Sequence, residues 1–277
     1  MKFGFVLPLG DAKTAVELAT LAEEHGWDGF FVWEPVWGID AWVSLAAVSM
    51  KTKKVRLGTL ISPISRMRPW KLASEIATLD NLSDGRVTLS VGLGATDTGW
   101  KEFGEITDRK TRSELLDESL DIIQGLLKGQ PFKYNGKHYT IDEYGHYPPP
   151  PPVQKPSVPI WIVGAWNYPK SMNRVLKCNG IIPAILDKDK KFQSLTKEHV
   201  AEIREFLNNA SNNGKNYDII IESHAIEDER VNNLSLRGKV YEEWEECGGT
   251  WWIEGMWDLM DNKKMIEKLV KRIKNGP

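Results

Sequence analysis

Apolar positions along this chain switch repeatedly between a period of two, which is typical of strands, and a period near 3.6, which is typical of helices. The first run, Lys2–Leu7, predicts a strand, and Ala12, Ala15 and Ala19 then recur at helical spacing before Gly26. The same alternation continues to the C-terminus. In order, the predicted strands are Lys2–Leu7, Gly29–Trp33, Val55–Ile61, Arg86–Val91, Pro159–Val163, Gly180–Ala184, Asp218–Glu222 and Thr250–Ile253.

Helices are predicted between these strands. Pro69 stands where a first helical turn tolerates a missing N–H, and Leu72, Ile76 and Leu79 form an apolar stripe behind it. The other predicted helices lie at Ala41–Met50, around Leu116–Leu127, at Leu195–Asn208 and around Ile266–Ile273. Eight strands alternating with helices favour an α/β protein, a (β/α)8 TIM barrel formed as a single domain over residues 1–277. The open doubly wound sheet is the main rival, and it usually has fewer strands.

One region departs from the alternation. Asn135-Gly136 stands between two β-prone runs within Phe132–Ile141, which is the strongest short-range signal of a hairpin. Tyr147–Pro159 is rich in proline and predicts a stiff, extended connector. Together these segments predict a hairpin and Pro-rich excursion from the barrel between strands four and five.

Composition narrows the function without deciding it. A formal net charge of −2 leaves no basic footprint for nucleic acid or an anionic membrane, and no apolar run reaches the length of a membrane span. The N-terminal MKFGFVLPL lacks the zones of a secretion signal. Cys178 and Cys247 have no metal or redox spacing, so we expect no metal site and a cytoplasmic location. The 12 Trp fit either a bulky core or a surface that stacks a flat ligand.

The stretch from Arg66 to Gly94 carries the strongest local signal. Its helix leads through a turn at Asp84-Gly85 into a strand that ends in Gly92-x-Gly94. Glycines at a strand end leave room for a ligand to lie against bare backbone, although they also serve simply where a loop needs positive φ.

Several motifs in this region and beyond resemble the bacterial-luciferase-like superfamily of flavin- or deazaflavin-dependent oxidoreductases. They are LGTLISPISRMRPWKLA (57–73), ATLDNLSDGRVTLSVGLG (77–94), YNGKHY, PPPPPVQKPSVPIWIVG, CNGIIP and GTWWIEG (249–255), in the family's order along the chain. The resemblance implies a TIM barrel that binds FMN or the deazaflavin F420 at its C-terminal mouth. It also implies a non-proline cis peptide on strand three, at or beside Thr59–Leu60, which makes a bulge against the cofactor ring. On family frequency we favour FMN.

The resemblance also implies a set of cofactor-binding residues. Thr59, Leu60, Gly92 and Gly94 would lie along the ring. The family places its cofactor phosphate near the loop after strand five, where a helix N-terminus suits an anion; an ordinary capped helix with solvated basic residues is the alternative. The residues of this loop and helix are Gly164, Trp166, Asn167, Lys170 and Arg174. Luciferases carry a phosphate-binding arginine near the end of strand four, and Gly92–Gly94 offers none.

The candidate catalytic residues follow strand two. Family members often show Asp-His at the place where this chain has Glu34 and Pro35, so the usual histidine is missing. Glu34 could replace it as a carboxylate poised by burial, or could be a hydrogen-bonded strand-end carboxylate without catalytic duty. Trp37 is expected to wall the substrate side. Asp80 and Arg86 are expected to fix the helix–strand junction, whereas Arg112, Asp117 and Glu118 are expected on a solvated helix face.

Three functions remain open. The first is a flavin- or F420-dependent oxidoreductase, either a monooxygenase or a dehydrogenase, acting on a small substrate with NAD(P)H or a separate flavin reductase as possible partner, and homodimeric as is common in the family. Its pocket would be lined by Trp33, Trp37, Trp100, Trp166, Trp252 and Trp257. The second is a glycoside hydrolase that uses carboxylates at strand ends, here Glu34, Glu222 and Glu254. The third is a non-catalytic flavin-binding protein.

Overall fold

The computed structural model of the protein describes residues 1–210, 216–226, 230, 233–260 and 264–277. Short 3-10 turns occur at Ile64–Arg66, Ser223–Ala225 and Trp257–Leu259. The strands and helices of these segments are β1 (Lys2–Leu7), α1 (Ala12–Glu24), β2 (Gly29–Val32), α2 (Ala41–Lys51), β3 (Arg56–Thr59), α3 (Pro69–Leu82), β4 (Val87–Val91), α4 (Arg109–Lys128), β5 (Phe132–Asn135), β6 (Thr140–Tyr144), β7 (Ile160–Ala165), α5 (Pro169–Leu176), β8 (Gly180–Leu186), β9 (Phe192–Gln193), α6 (Lys197–Ala210), β10 (Asp218–Glu222), α7 (Leu234–Glu246), β11 (Trp251–Gly255) and α8 (Met265–Lys274).

The order of the strands confirms the predicted (β/α)8 barrel. It runs β10-β11-β1-β2-β3-β4-β7-β8-β9, and a further pairing joins β10 to β8. The pairings β1–β11, β10–β11, β10–β8, β3–β4 and β7–β8 are parallel. The β5–β6 hairpin and the Pro-rich connector stand between β4 and β7, where the excursion is predicted. The short strand β9, antiparallel to β8, has no counterpart in the prediction.

Strand bounds agree with the prediction to within about two residues, and β3 shows why they differ. The apolar run predicts Val55–Ile61, whereas the strand ends at Thr59. Beyond it only Ser62 returns to the ladder, through an isolated bridge to Val91. Leu60 is still buried although it lies beyond the last strand residue. The apolar run is therefore longer than the hydrogen-bonded strand.

The chain forms two compact units. The first comprises Met1–Leu9, Leu21–Phe31 and Ile160–Pro277, and the second comprises Gly10–Thr20 and Val32–Pro159. The expectation of one domain over residues 1–277 therefore stays a prediction.

An aromatic cluster fills the core of the first unit. The ring of Trp161 lies 5.6 Å from that of Phe31 and 5.1 Å from that of Trp251, and all three side chains are buried. A Cβ at Gly29 would lie 2.8 Å from Phe31 Cε2, and one at Gly180 would lie 2.6 Å from Trp161 Cδ1. Real Cβ atoms do not approach so closely, so glycine at these strand positions admits the rings. In this cluster, Trp serves as core bulk.

In the second unit, Arg86 and Asp80 fix the junction between α3 and β4, as predicted. Asp80 accepts from Gln154 N at 3.0 Å and from Gln154 Nε2 at 2.7 Å, which ties the Pro-rich connector to α3. The Arg86 guanidinium donates at 2.8 to 3.1 Å to the carbonyls of Ser49, Thr52, Val55 and Ser83. A planar group with five donors suits this task, because it satisfies several loop carbonyls at once.

Two carboxylates of α4 hold the hairpin: Glu114 binds the side chains of Lys137 and His138 at 2.8 and 2.9 Å, and Glu118 binds the backbone. Glu118 accepts from the backbone N–H groups of Lys137, His138 and Tyr139 at 2.7 to 3.1 Å. The prediction of a solvated face is therefore wrong for Glu118, and it is also wrong for Arg112, since both side chains are buried. Each is removed from water by a loop that folds over α4, and a helical period alone does not reveal such a loop.

We predict that Arg86→Lys destabilises the protein by about 2 kcal/mol, because a lysine cannot satisfy all of the loop carbonyls that Arg86 binds. Urea unfolding measures the loss as a lower midpoint. The matched control is Arg109→Lys on the exposed first turn of α4, which should stay within about 0.5 kcal/mol of the wild type. Equal losses in the two variants would contradict this role of Arg86.

Candidate functional site

Glu34 follows β2 and is the centre of a polar cluster in the second unit. Its backbone N–H faces the carbonyl of Ile61 at 3.4 Å, and Leu60 N donates to Val32 O at 3.0 Å. These contacts hold the chain after β2 beside the chain after β3. As a result the Glu34 carboxylate meets the hydroxyl of Ser62, whose Oγ is in hydrogen-bond contact with Glu34 Oε2.

Burial raises the pKa of Glu34 from 4.5 to about 7. The main cause is desolvation, which disfavours the charged form. The hydrogen bond from Ser62 and the positive charge of Arg66 oppose this rise, and Asp40 adds to it slightly. Trp42 also lowers the pKa weakly, although its buried Nε1 reaches no partner of normal hydrogen-bond geometry among the described residues. A carboxyl group with this pKa can give or take a proton near neutral pH.

A second hydroxyl lies behind Ser62. Ser62 Oγ and Thr59 Oγ1 are 2.9 Å apart, and Thr59 Oγ1 donates to Ser90 O at 3.3 Å. Thr59 and Ser62 are both fully buried. Thr59 is among the predicted site residues, but Ser62 is not. Its spacing of three residues from Thr59 is the only sequence signal that could have indicated it.

Arg66 fastens the loop that carries Glu34. Its Nη2 donates to Glu34 O at 3.1 Å and to Pro35 O at 2.8 Å. Sequence reasoning missed this residue because both contacts are to backbone carbonyls, which leave no mark on side-chain patterns. Trp37, the predicted substrate wall on the same loop, is 83 % exposed, and its catalytic role stays a prediction.

The non-proline cis peptide joins Leu60 to Ile61. The expectation of a non-proline cis bond at or beside Thr59–Leu60 is thus confirmed, since the cis bond is the next one along the chain. The bond lies between Thr59 and Ser62, so it belongs to the same segment as the hydroxyl pair.

The Gly92–Gly94 rim is packed by the protein itself. A Cβ on Gly94, which has φ +76°, would lie 2.7 Å from both Pro63 Cβ and Trp100 Cζ2. Arg112 lies over the Trp100 ring at 5.2 Å and donates to the carbonyls of Leu93 and Gly94 at 2.8 and 3.2 Å. Gly94 therefore has a structural reason to be glycine, and its contact with a cofactor, like that of Gly92, stays a prediction.

The predicted phosphate segment lies in the first unit. A Cβ on Gly164 would lie 2.5 Å from Ile181 Cδ1, so the absence of a side chain at Gly164 makes room for Ile181. Trp166 turns to α6, where its Nε1 donates to Glu202 Oε2 at 3.0 Å and its ring packs on Phe206. Asn167 has a left-handed φ of +64°, and Lys170 is exposed. Arg174 lies in the last turn of α5. Phosphate binding by these residues stays a prediction.

The other two candidate carboxylates have settled partners. Glu254 is buried, pairs with Arg272 at 3.1 Å and accepts from Trp252 Nε1 at 3.3 Å. This arrangement suits a structural ion pair and not an acid catalyst. Glu222 Oε1 accepts from Trp257 Nε1 at 3.0 Å and lies 3.1 Å from His224 Nδ1.

The expectation of a tryptophan-lined mouth is wrong for Trp252. Its ring is fully buried and packs on Tyr241 of α7, 4.9 Å away, so it faces the helix layer. Trp100 is also buried, beneath the Gly94 rim and against Arg112.

Buried donors test whether the second unit suits a polar cofactor. Arg66 Nε, Ser90 Oγ and Arg112 Nε are buried, and none has a hydrogen-bond partner among the described residues. Each such group costs about 1 to 3 kcal/mol if it remains unsatisfied. A flavin or deazaflavin carries ring carbonyls and a phosphate, which are acceptors for these donors, so the residues present fit such a group.

The described segments offer neither a metal site nor a membrane-spanning helix. They contain no group of three His, Cys, Asp or Glu side chains placed to hold a metal ion. No helix within them combines the length and apolarity needed to cross a membrane.

Comparison with known proteins identifies relatives. A family model described as luciferase-like monooxygenase matches residues 1–233. An uncharacterised protein of Mycobacterium tuberculosis is 31 % identical over 202 residues, which cover 64 % of this chain and 70 % of that protein. An F420-dependent glucose-6-phosphate dehydrogenase of Nakamurella multipartita is 32 % identical over 163 residues, covering 53 % of this chain and 44 % of the relative.

Solved structures agree in fold. An F420-dependent secondary alcohol dehydrogenase has a TM-score of 0.73 at 16 % identity, covering 99 % of this chain and 98 % of that one. The FMN-bound oxygenating component of 3,6-diketocamphane monooxygenase from Pseudomonas putida has a TM-score of 0.71 at 17 % identity, covering 99 % and 97 %. At these identities the likeness concerns the fold alone.

We predict that the Glu34 carboxyl makes the stability of the protein fall as the pH rises. Its folded pKa of about 7 exceeds the ordinary 4.5, so its stabilising contribution is complete below about 4.5 and is lost as the pH rises through about 7. At about 1.4 kcal/mol per pH unit, the loss is up to about 3 kcal/mol.

Urea unfolding of the wild type and of Glu34→Gln at about pH 5 and about pH 8.5 measures this effect. From about pH 5 to about pH 8.5, the free energy of unfolding should fall by up to about 3 kcal/mol more in the wild type than in Glu34→Gln, because glutamine does not titrate. Parallel pH dependences would contradict the raised pKa.

Proposed function

This chain belongs to the luciferase-like monooxygenase family, and from that premise we propose that it is a hydride-transferring oxidoreductase in which Glu34 exchanges a proton with a small hydroxyl- or carbonyl-bearing substrate. The observation that carries the proposal is the Glu34 carboxyl group, whose pKa is raised to about 7. It belongs to the Glu34-Pro35 pair, which stands where members of this family often have Asp-His. A general acid or base works best when its pKa lies near the operating pH.

In the proposed reaction the substrate loses a hydride from a C–H bond and a proton from its O–H group, each to a different acceptor. A bound flavin or deazaflavin would supply the chemistry that takes a hydride from the substrate carbon. Glu34 in its ionised form takes the proton that the substrate hydroxyl gives up, and the C–O bond becomes a carbonyl. In the reverse direction the protonated Glu34 returns that proton to the carbonyl oxygen. Ser62 and Arg66 hold the carboxylate and its loop in place.

A proton-exchanging carboxyl favours a dehydrogenase or reductase within this family. Hydride transfer to or from a carbon that bears oxygen always needs a proton partner for that oxygen, and Glu34 supplies one. The monooxygenase is the second candidate, supported by the family description. The hydrolase has less support, because Glu254 is already neutralised by Arg272.

We place F420 first and FMN second as cofactor. Family frequency alone favours FMN, but a curated relative at 32 % identity is named as F420-dependent, and a deazaflavin suits hydride transfer. The buried donors of Arg66, Ser90 and Arg112 are the groups in the second unit that would bind the cofactor's oxygens. For the first unit we propose separately that Lys170 and Arg174 of α5 bind a phosphate group.

Cofactor binding tests the proposal first. The purified protein is titrated with F420 and, separately, with FMN, and binding is followed by the absorbance and fluorescence of each cofactor. We expect F420 to bind and to be reduced when small secondary alcohols or sugar phosphates are added. Oxygen consumption with FMN and a flavin reductase would instead support the monooxygenase. Failure of both cofactors to bind would falsify the proposal.

We predict that Glu34→Gln lowers kcat by about 100-fold or more while the affinity for the cofactor is kept, because only the proton acceptor is removed. In the wild type, alcohol oxidation should rise with pH through about 7 as Glu34 ionises, and the variant should lose this dependence. Glu17→Gln, an exposed carboxylate on α1, is the matched control and should leave kcat unchanged. A glutamine variant that keeps full activity would remove Glu34 from the mechanism.

A further inference from the structure

A continuous chain of hydrogen-bonding groups runs from the Glu34 carboxylate to β4. Ser62 Oγ contacts Glu34 Oε2, Thr59 Oγ1 lies 2.9 Å beyond it, and Ser90 O lies 3.3 Å from Thr59 Oγ1. Thr59 and Ser62 have no surface exposed to water. These two hydroxyls must therefore form their hydrogen bonds with protein groups and not with bulk water.

Each hydroxyl has one proton, so it donates one hydrogen bond at a time. A protonated Glu34 can donate to Ser62, which then donates to Thr59, which donates to Ser90 O. An ionised Glu34 can only accept. In that state Ser62 turns to donate to Glu34, and Thr59 turns to donate to Ser62. Ser62 keeps a donor and an acceptor role in each state, whereas Thr59 keeps its donor role and accepts a hydrogen bond only when Glu34 is protonated.

The far end of the chain tolerates this reversal. Ser90 O also accepts from the backbone N–H of Ser62 at 2.8 Å. When Thr59 turns away, the carbonyl still has a hydrogen bond. Reversal thus leaves neither the two hydroxyls nor Ser90 O without a hydrogen bond. The loss of such a bond is what usually prevents a buried hydroxyl from turning.

The other groups that act on Glu34 cannot reverse their hydrogen bonds in this way. Asp40 is committed to Val43 N, where it caps α2 at 2.9 Å, and the Arg66 guanidinium is committed to the carbonyls of Glu34 and Pro35. Both act on the carboxyl from fixed positions, as does Trp42 from the first turn of α2. The response to a change of protonation therefore falls to the two hydroxyls.

We propose that Ser62 and Thr59 are positioning residues that form a reversible hydroxyl relay, which turns as Glu34 gains or loses its proton and keeps the buried hydrogen bonds satisfied in both states. The catalytic meaning of the relay rests on the proposed function, in which Glu34 holds the proton at one stage and releases it at another. The relay itself is a property of the protein without cofactor or substrate.

Infrared spectroscopy of the protein across a pH series tests the relay. The C=O band of the protonated carboxyl is assigned to Glu34 by its loss in Glu34→Gln, and its midpoint is expected at about 7. Ser62→Ala removes the charge-assisted hydrogen bond to the ionised form, so the midpoint should rise by about one pH unit. Thr59→Val should raise the midpoint by less than Ser62→Ala does. Thr59→Ser keeps the hydroxyl, so its midpoint should equal that of the wild type.

Ser65→Ala is the matched control. Ser65 is buried in the same loop, and its Oγ has no hydrogen-bond partner among the described residues, so the midpoint should not move. Ser62→Thr keeps a hydroxyl. If Ser62→Ala folds poorly, this variant shows whether the cause is the loss of the hydroxyl or any substitution at position 62. An unchanged or lowered midpoint in folded Ser62→Ala, or equal midpoints in Thr59→Val and Thr59→Ser, overturns the relay.

The two proposals fail separately. If the band shifts as expected but neither F420 nor FMN binds, the relay stands and the proposed function fails. If a cofactor binds and Glu34 is needed for turnover while Ser62→Ala leaves the midpoint in place, the proposed function stands and the relay fails. With both correct, Ser62→Ala moves the pH profile of kcat/KM upward by the same amount as the infrared midpoint.

Discussion

The removal of the Glu34 carboxylate from water is the constraint around which the candidate site is built. Desolvation favours the protonated form of this group, and the contacts with Ser62 and Arg66 favour the ionised form. Ser62 and Arg66 oppose the desolvation far enough to bring the pKa to about 7. The carboxyl can then change state near neutral pH. Its usefulness depends on a balance between two opposed effects, so small changes in its surroundings alter its chemistry more than they alter the fold.

Arginines that bind backbone carbonyls recur through the second unit. Arg66 fastens the loop after β2, Arg86 fastens the junction before β4, and Arg112 fastens the rim after β4. None of these contacts is an ion pair. A guanidinium that binds carbonyls can order an irregular loop whatever side chains the loop carries. The loops at the strand ends can therefore hold residues chosen for chemistry, because their shape is maintained from outside.

Periodicity predicts the fold well, since eight buried strands and the helices between them impose their spacing on the sequence. The excursion is equally visible, because Asn135-Gly136 and the proline run have strong local preferences. The site is less visible. Glu34 stands out because it replaces an expected residue, but Ser62 and Arg66 act through a hydroxyl and through carbonyls, which follow no spacing rule. The sequence does not predict the surroundings of Arg112 and Trp252, because burial by a loop or a helix layer is a tertiary effect.

The glycine–ring contacts in the core of the first unit have an evolutionary consequence. Gly180 and Trp161 on neighbouring strands divide a single volume between them, and Gly29 and Phe31 do so within one strand. A larger residue at position 180 would meet more than the ring, because an added Cβ would lie 2.6 Å from Trp161 Cδ1 and 2.9 Å from both the Cβ and the backbone oxygen of Asp218. We therefore expect substitutions at position 180 to be selected against even where the ring at position 161 is smaller.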